Sequence, residues 1–507
     1  MKKKIVLLPL DERPCNYDFP YELYRHDDIE IVRPKELGDK KKPADAAAII
    51  KFLIEECKDA DGLILSVDMM LYGGLVPSRI HQGAVSSFER LATTIIKLKE
   101  DNPRLLIYAF QVIMRCPDYS SDDEEPEYYE HSGTLIHKVG EIIHRSRLGL
   151  CSDHELKHLL DEIDGDYLND YVSRRQKNQS LNNLMVDYVR NGYLDALVIP
   201  QDDSATYGYA AIDQEQVRKK ISKENLTDCI LMYPGADEVG LTLMSKFLNS
   251  FHGKKLRVYI KYASEASKNL IPLYEGNRLA NTIKYHVLSS GCQLTDCYEN
   301  ADIIMAVTAP DNLMEEAEDQ PSKNPNYYAE RSLPEMIDFI KERIKEGKLV
   351  TIADNAYANG GDLELLRMMD KNHLLDKVAG YAGWNTSANT IGTALAEGID
   401  AFYYGMTITH QNFLMERYVE DCGYCSVVRK KVTGQLEELG MNCFDVKEKE
   451  GEVAVMVKEQ LIQFTKEYLP SIADRLDIVS VHMPWKRMFE VSLHVSYNNK
   501  NETLKIS

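Results

Sequence analysis

Short apolar runs recur along the chain, and almost every one ends in a cluster of polar residues. Ile5–Leu10, Gly62–Val67, Leu105–Met114, Ala196–Pro200 and Ile230–Tyr233 are rich in β-branched residues and too short for helices. The same holds for Arg257–Tyr262, Ile303–Val307, Leu349–Ala353 and Val378–Ala382. This is the pattern of strands buried on both faces of a parallel sheet. The stretches between them include helical patterns such as Ala44–Cys57 and Ile391–Gly398, and Ile29–Val32 predicts a short edge strand. Eight such strands alternating with helices close a (β/α)8 barrel with its polar clusters on the C-terminal face. Either Arg257–Tyr262 or Ile303–Val307 is then an insertion. A doubly wound open sheet has the same rhythm but gathers its site at one switch point. Here polar clusters end many strands, which favours the barrel.

The rhythm breaks twice. From Asp118 to Gly192 an acidic, Tyr-rich stretch (Asp118–Glu130) precedes mainly helical sequence, which predicts a helical insertion over about 118–192. The acidic stretch is expected as a solvated loop, and Arg174-Arg175 as part of a surface helix. After about Ala401 the strand-and-cluster rhythm ends. The expected fold class is thus α/β, with a (β/α)8 TIM-barrel-like domain over 1–400. The remainder, 401–507, is expected to be a mainly helical extension carrying an antiparallel pair, Val479–His482 with Phe489–Ser496.

Composition narrows the function. The 507 residues are 44% hydrophobic and 28% charged, ordinary for a globular chain. A formal net charge of −20 excludes nucleic acid and anionic membrane as partners, which need a basic footprint. No apolar stretch is long enough to span a bilayer, and Ile5–Leu10 is too short for a signal-peptide core. Ten cysteines without a disulfide framework suit a reducing, cytoplasmic location. Cys422-Gly-Tyr-Cys425 lacks a redox context and reads as two ordinary thiols. Neither the sequence nor its charge sets the oligomeric state.

The candidate chemistry lies at the strand ends. Ala196–Pro200 stops at Gln201-Asp202-Asp203, with Tyr207 a few residues on. Adjacent carboxylates at the mouth of a parallel strand sit where α/β folds place catalysis. Asp11 and Arg13 follow the first strand; Asp68, Tyr72 and Arg79 follow the second, beside a Gly73-Gly74 pair that permits close backbone approach. Asp237-Glu238 is a second carboxylate pair. Asp354, Asn355, Asn359 and Asp362 end one late strand, and Trp384-Asn385 ends the next. Clustered Asp, Asn, Tyr and Trp suit a small carbohydrate substrate. There is no H-x-H motif, and no metal or other cofactor is expected.

Leu10-Asp11-Glu12-Arg13-Pro14, Ser66-x-Asp68-x-x-x-Tyr72-Gly-Gly-Leu-Val and Gln201-Asp202-Asp203 together resemble a bacterial family catalogued as a domain of unknown function. Residues 195–400 are also distantly similar to the O-GlcNAcase-type glycoside hydrolases. The shared features are Asp202-Asp203, Val307-Thr308-Ala309-Pro310, Asp354-Asn355-Ala356-Tyr357-Ala358-Asn359 and Asn385-Thr386. That second resemblance implies a β-N-acetylhexosaminidase-like enzyme with substrate-assisted catalysis. Asp202 would then polarise the acetamide and Asp203 would act as general acid/base. The opening motif and substrate-contacting Lys of those hydrolases have no counterpart here. Asp237-Glu238 resembles the Asp-Glu pair of another β-hexosaminidase family and is the competing catalytic pair. A non-catalytic carbohydrate-binding protein and a metal-dependent hydrolase with an Asp-rich mouth are the alternatives from other classes.

Overall fold

The structure, a computed structural model, describes residues 2–82, 86–152 and 154–498. The chain divides into two compact units, Met1–Met244 with Tyr274–Asn277, and Ser245–Leu273 with Arg278–Ser507.

In the first unit β1 (Lys3–Leu8), β2 (Ile29–Val32), β3 (Gly62–Ser66), β4 (Leu106–Phe110), β5 (Ala196–Gln201) and β6 (Ile230–Pro234) form a six-stranded sheet in the order β2-β1-β3-β4-β5-β6. Every pairing is parallel. β3 and β5 are buried at each position, which is why both read as continuous apolar runs. Ile29–Val32 takes the edge. Leu63, Leu65, Ile107, Leu197 and Ile199 pack in one core with Leu53, Leu91, Ile95 and Leu181 from the intervening helices.

Pro200 lies inside β5, where a missing N–H would ordinarily break the ladder. The β4 pairing stops at Phe110 and Val198, and Ile113 N–H then donates to Pro200 O at 2.8 Å. The absent donor interrupts the ladder only locally, since Gln111 N–H donates to Val198 O at 3.1 Å before it and Ile113 bridges Gln201 beyond it. The excursion after β4 carries helices Tyr129–Arg147, His154–Glu162 and Gly165–Arg190. Its own small core joins Tyr129, Ile136, Val139 and Tyr171 to Tyr209 and Ile212.

The second unit is built on β7 (Arg257–Tyr262), β8 (Gln293–Leu294), β9 (Ile303–Thr308), β11 (Leu349–Asp354) and β13 (Gly380–Ala382), parallel and in the order β13-β11-β9-β7-β8. Two short strands, β10 (Glu315–Glu316) and β12 (Tyr357–Ala358), pair with each other. The expectation that Arg257–Tyr262 or Ile303–Val307 is an insertion is corrected. β7 pairs with both β8 and β9, and β9 with both β7 and β11, so both are interior strands. The fold is thus mixed α/β on two parallel sheets.

After Ala401 the chain is helical, then closes with the antiparallel pair β14 (Leu476–His482) and β15 (Ser492–Tyr497). Leu414, Tyr418, Leu461, Phe464, Ile478 and Val495 share one core with Ile304 and Ile352 of the sheet. Tyr418–Val428 is a π-helix and carries Cys422 and Cys425. Burial pushes the Cys425 thiol up to about 12 and the Cys422 thiol upward as well, which disfavours the thiolate at both. Among the described residues, no helix is long and apolar enough to cross a membrane.

Candidate functional site

The C-terminal ends of the first unit's strands carry a dense set of charged side chains. After β1, Pro14 opens the one-turn helix Pro14–Tyr17, which brings Arg13 and Asn16 back onto Asp11. Arg13 donates to Asp11 Oδ2 at 2.7 Å and, from the same Nη2, to Asp237 Oδ1 at 2.6 Å. Asn16 Nδ2 donates to Asp11 at 3.0 Å and Asp237 at 2.8 Å. Burial raises the pKa of both carboxyls. Glu238 is fully buried, and its Oε2 accepts the Ala236 N–H at 3.0 Å. The Asp237-Glu238 pair is thus enclosed and held in place.

The ends of β3, β4 and β5 meet in a second cluster. Ser66 caps helix Val67–Tyr72 through the Met69 N–H at 3.1 Å, which sets Asp68 in the first turn. There its Oδ2 accepts the Val112 N–H from the β4 end at 2.9 Å. Gly73, at φ +83°, leaves no room for a side chain, since a Cβ would stand 2.6 Å from Ala44 N. The turn it makes starts helix Leu75–Ile80 and delivers Arg79. Arg79 contacts Asp202 at 2.5 Å and Glu124 at 2.6 Å. Arg115 contacts Asp203 at 3.1 Å and Glu125 at 2.8 Å.

Two expectations fail here for the same reason. Glu124 and Glu125 belong to the acidic stretch expected as a solvated loop, yet Glu125 is only 1% exposed. Two buried guanidiniums draw them in. Arg174 and Arg175 are likewise buried rather than on a surface helix. Arg175 is held by Asp213 at 2.7 Å and by the carbonyls of Met114 and Arg115. Arg115 and Asn16 were missed as site residues. Arg115 stood at a strand end just before Pro117, the same signal that picked out Arg13 before Pro14.

Burial pushes the Asp68 carboxyl up to about 7. Asp203 is raised to about 6, first by burial and then by the negative charge of Asp202 beside it. Asp203 also keeps access to solvent, its side chain 32% exposed against 12% for Asp202. Around them Tyr72 OH, Glu125 Oε2, Gln201 Nε2 and Ser204 Oγ are buried polar atoms without a hydrogen-bond partner. Such atoms suit a small polar ligand. Tyr207 stands edge-on to His144 of the helical excursion, with ring centroids 5.7 Å apart. Within this unit, and among the described residues, no three His, Cys, Asp or Glu ligand atoms lie within 4.8 Å of one another. The carboxylates are arranged as guanidinium pairs rather than as a metal cage.

The other candidates lie in the second unit and are mostly closed off. Asp354 accepts from Thr308 and Tyr381 hydroxyls, each at 2.7 Å, and from the Asp362 N–H at 2.7 Å. Asp362 pairs with Arg331 at 2.6 Å, both side chains 0% exposed. Asn359 donates to Glu316 at 2.9 Å. Asn355 Nδ2 donates to Ser387 O at 3.0 Å, while Trp384 Nε1 donates to Thr393 at 3.2 Å. Asn359 and Asn385 both have positive φ, 59° and 51°, and Asn359 N–H donates to Asn385 O at 2.8 Å. That hydrogen bond ties the loop after β12 to the loop after β13.

The family model described as "Protein of unknown function (DUF4127)" matches residues 5–494. No curated protein matches the chain. Among solved structures it is similar, at TM-score 0.18 and 9% identity, to the carboxyl transferase domain from Rhizobium etli pyruvate carboxylase with 3-bromopyruvate. The alignment covers 83% of this chain, which spans about half, 56%, of that one. A likeness at that level carries no argument.

Proposed function

The chain belongs to the family described as "Protein of unknown function (DUF4127)", and from the chemistry of its first unit we propose that it is a glycoside hydrolase of β-N-acetylhexosaminidase-like type, with Asp203 as general acid/base. The observation that carries this reading is Asp203 itself. Its carboxyl keeps solvent access and stands beside a second carboxylate, and burial together with that neighbour pushes it up to about 6. A group that holds its proton near neutrality is what protonation of a leaving oxygen requires.

In the substrate-assisted path the sugar's acetamido oxygen attacks C1 while Asp203 gives its proton to the glycosidic oxygen. Asp203 then takes a proton from the water that opens the oxazolinium. Asp202 is the acetamide-orienting carboxylate. Its Oδ2 is held by Arg79 and its Oδ1 accepts the Asp203 N–H at 3.0 Å, and each oxygen keeps a lone pair for the acetamide N–H. Arg13, Arg79 and Arg115 are each paired with carboxylates, so the cluster favours a neutral substrate over a phosphorylated one. Each sheet opens in a doubly wound order, β2-β1-β3 and β8-β7-β9, so the proposal rests on the chemistry of the strand ends and not on a barrel scaffold.

The test is a panel of chromogenic glycosides, N-acetylated and not. Wild type should turn over an N-acetylhexosaminide, and Asp203→Asn should lower kcat by about 10²–10⁴-fold. Undiminished turnover in that variant, or no turnover of any glycoside by wild type, ends the proposal. Pairing of both aspartates with guanidiniums favours one second reading, a carbohydrate-binding protein without catalysis. Saturable binding of the same panel with no product formed would select it.

A further inference from the structure

Buried polar atoms without a hydrogen-bond partner converge on two short segments of the second unit. Asn355 Oδ1 and Tyr357 OH follow β11, and Thr386 Oγ1, Ser387 Oγ and Asn389 Oδ1 open the helix Ser387–Tyr404. The residues are between 1% and 5% exposed (Asn355 1%, Thr386 5%). The segments touch, since Asn355 Nδ2 donates to Ser387 O at 3.0 Å. A buried hydroxyl or amide oxygen gives up its hydration on folding and ordinarily regains a partner. Several such groups at one place point to a partner that the chain itself does not supply.

The chemistry of that partner follows from what is left open. Asp354 and Asp362 are closed by Thr308, Tyr381 and Arg331; apart from Arg331 Nη2, whose guanidinium charge is balanced by Asp362 at 2.6 Å, the unpartnered atoms here are uncharged. Thr386 is the N-cap of an 18-residue helix, yet its side chain makes no capping bond. An anion would meet two amide oxygens, and a cation would meet the positive end of the helix. A ligand hydroxyl both donates and accepts, and so matches amide oxygens and Ser, Thr and Tyr hydroxyls alike. Trp384, pinned through its Nε1, adds an aromatic body next to them.

We propose that Asn355–Tyr357 and the first turn of helix Ser387–Tyr404 form a subsite for the hydroxyls of a neutral polyhydroxylated ligand, a hexose or cyclitol ring. The subsite goes beyond the reading of Asp203, because it requires no chemistry in the first unit.

The full chain is titrated calorimetrically with glucose, mannose, myo-inositol and, separately, inorganic phosphate. At least one of the three neutral compounds should bind saturably. Ser387→Ala and Thr386→Val should each weaken that binding about tenfold, and Asp203→Asn should leave it unchanged. Loss of turnover in Asp203→Asn with binding retained separates this subsite from the hydrolase proposal. The inference is overturned if none of the three binds, if phosphate binds in preference, or if binding responds to Asp203→Asn and not to Ser387→Ala. Thr386→Val, nearly isosteric, gives the same reading should Ser387→Ala fail to fold.

Discussion

Burial lifts the Asp68 carboxyl from its ordinary 3.8 to about 7, and folding stability must follow. Between about pH 4 and 7 the native chain holds a proton that the unfolded chain has released. Asp68 therefore contributes stability below about pH 4 that is lost as pH rises through 7, a difference on the order of 4 kcal/mol. Asp203, raised to about 6, acts with the same sign over a narrower window. Asp68→Asn keeps an oxygen for the Val112 N–H and cannot titrate. Chemical denaturation from pH 4 to 8 should show a flatter stability profile in that variant, and an unchanged slope would refute the assignment. Turnover at Asp203 should show the matching limb, kcat/KM falling as pH rises through about 6. A different residue-scale effect is expected at Asp362. It is fully buried, pairs with Arg331, and caps helix Leu363–Lys371 through the Glu364 N–H at 2.9 Å. Asp362→Ala strands a buried guanidinium and should cost about 3–5 kcal/mol in urea titration. Adding Arg331→Met to that variant should recover part of the loss.

Helix Ser387–Tyr404 shows how the elements fit, because it lies on β11 and β13 through glycines. A Cβ on Gly398 would stand 2.6 Å from Thr351 Cγ2, and one on Gly380 would stand 2.6 Å from Glu397 Cβ. In an exposed helix Gly→Ala would be stabilising by about 1 kcal/mol. Here Gly398→Ala should destabilise by about 1–3 kcal/mol, by lifting the helix off the sheet, and a denaturation midpoint above wild type would contradict this. The strands themselves were legible. Runs such as Gly62–Ser66 and Ala196–Gln201 can only be buried strands, since each position faces a helix layer. Interior places for β7 and β9 were not legible, because pairing partners depend on sheet order and not on local pattern. The same contrast holds at the site. Asp68, Asp202 and Asp203 stand out in the sequence from their position at strand ends. Glu124 and Glu125 were hidden in a run whose composition reads as solvent-exposed, and only the folded position of Arg79 and Arg115 draws them inward. The Asn359 and Asn385 turn was equally hidden, since positive φ at Asn leaves no periodic trace.

At the scale of the whole molecule the governing quantity is charge. Lys and Arg number 60 against 80 Asp and Glu, which leaves −20 at pH 7. Many of the arginines are spent on internal pairs such as Arg79–Asp202 and Arg331–Asp362, so the surviving acidic excess repels itself through solvent. Solvent-borne repulsion is screened by salt, whereas the buried pairs are largely shielded from it. Raising ionic strength from about 10 mM to about 100 mM shortens the screening length from about 30 Å to about 10 Å, and Tm should rise. Lowering pH from 8 toward 6 should raise it as well, through reduced net charge and through Asp68 and Asp203 together. The two contributions separate cleanly. Salt removes the first and not the second, so at high ionic strength the remaining pH dependence should shrink in Asp68→Asn combined with Asp203→Asn, to the part carried by groups such as Asp421, raised to about 8, and His137, raised to about 9. A Tm that falls on adding salt would mean that exposed ion pairs, such as Lys4 with Asp59, outweigh the long-range repulsion.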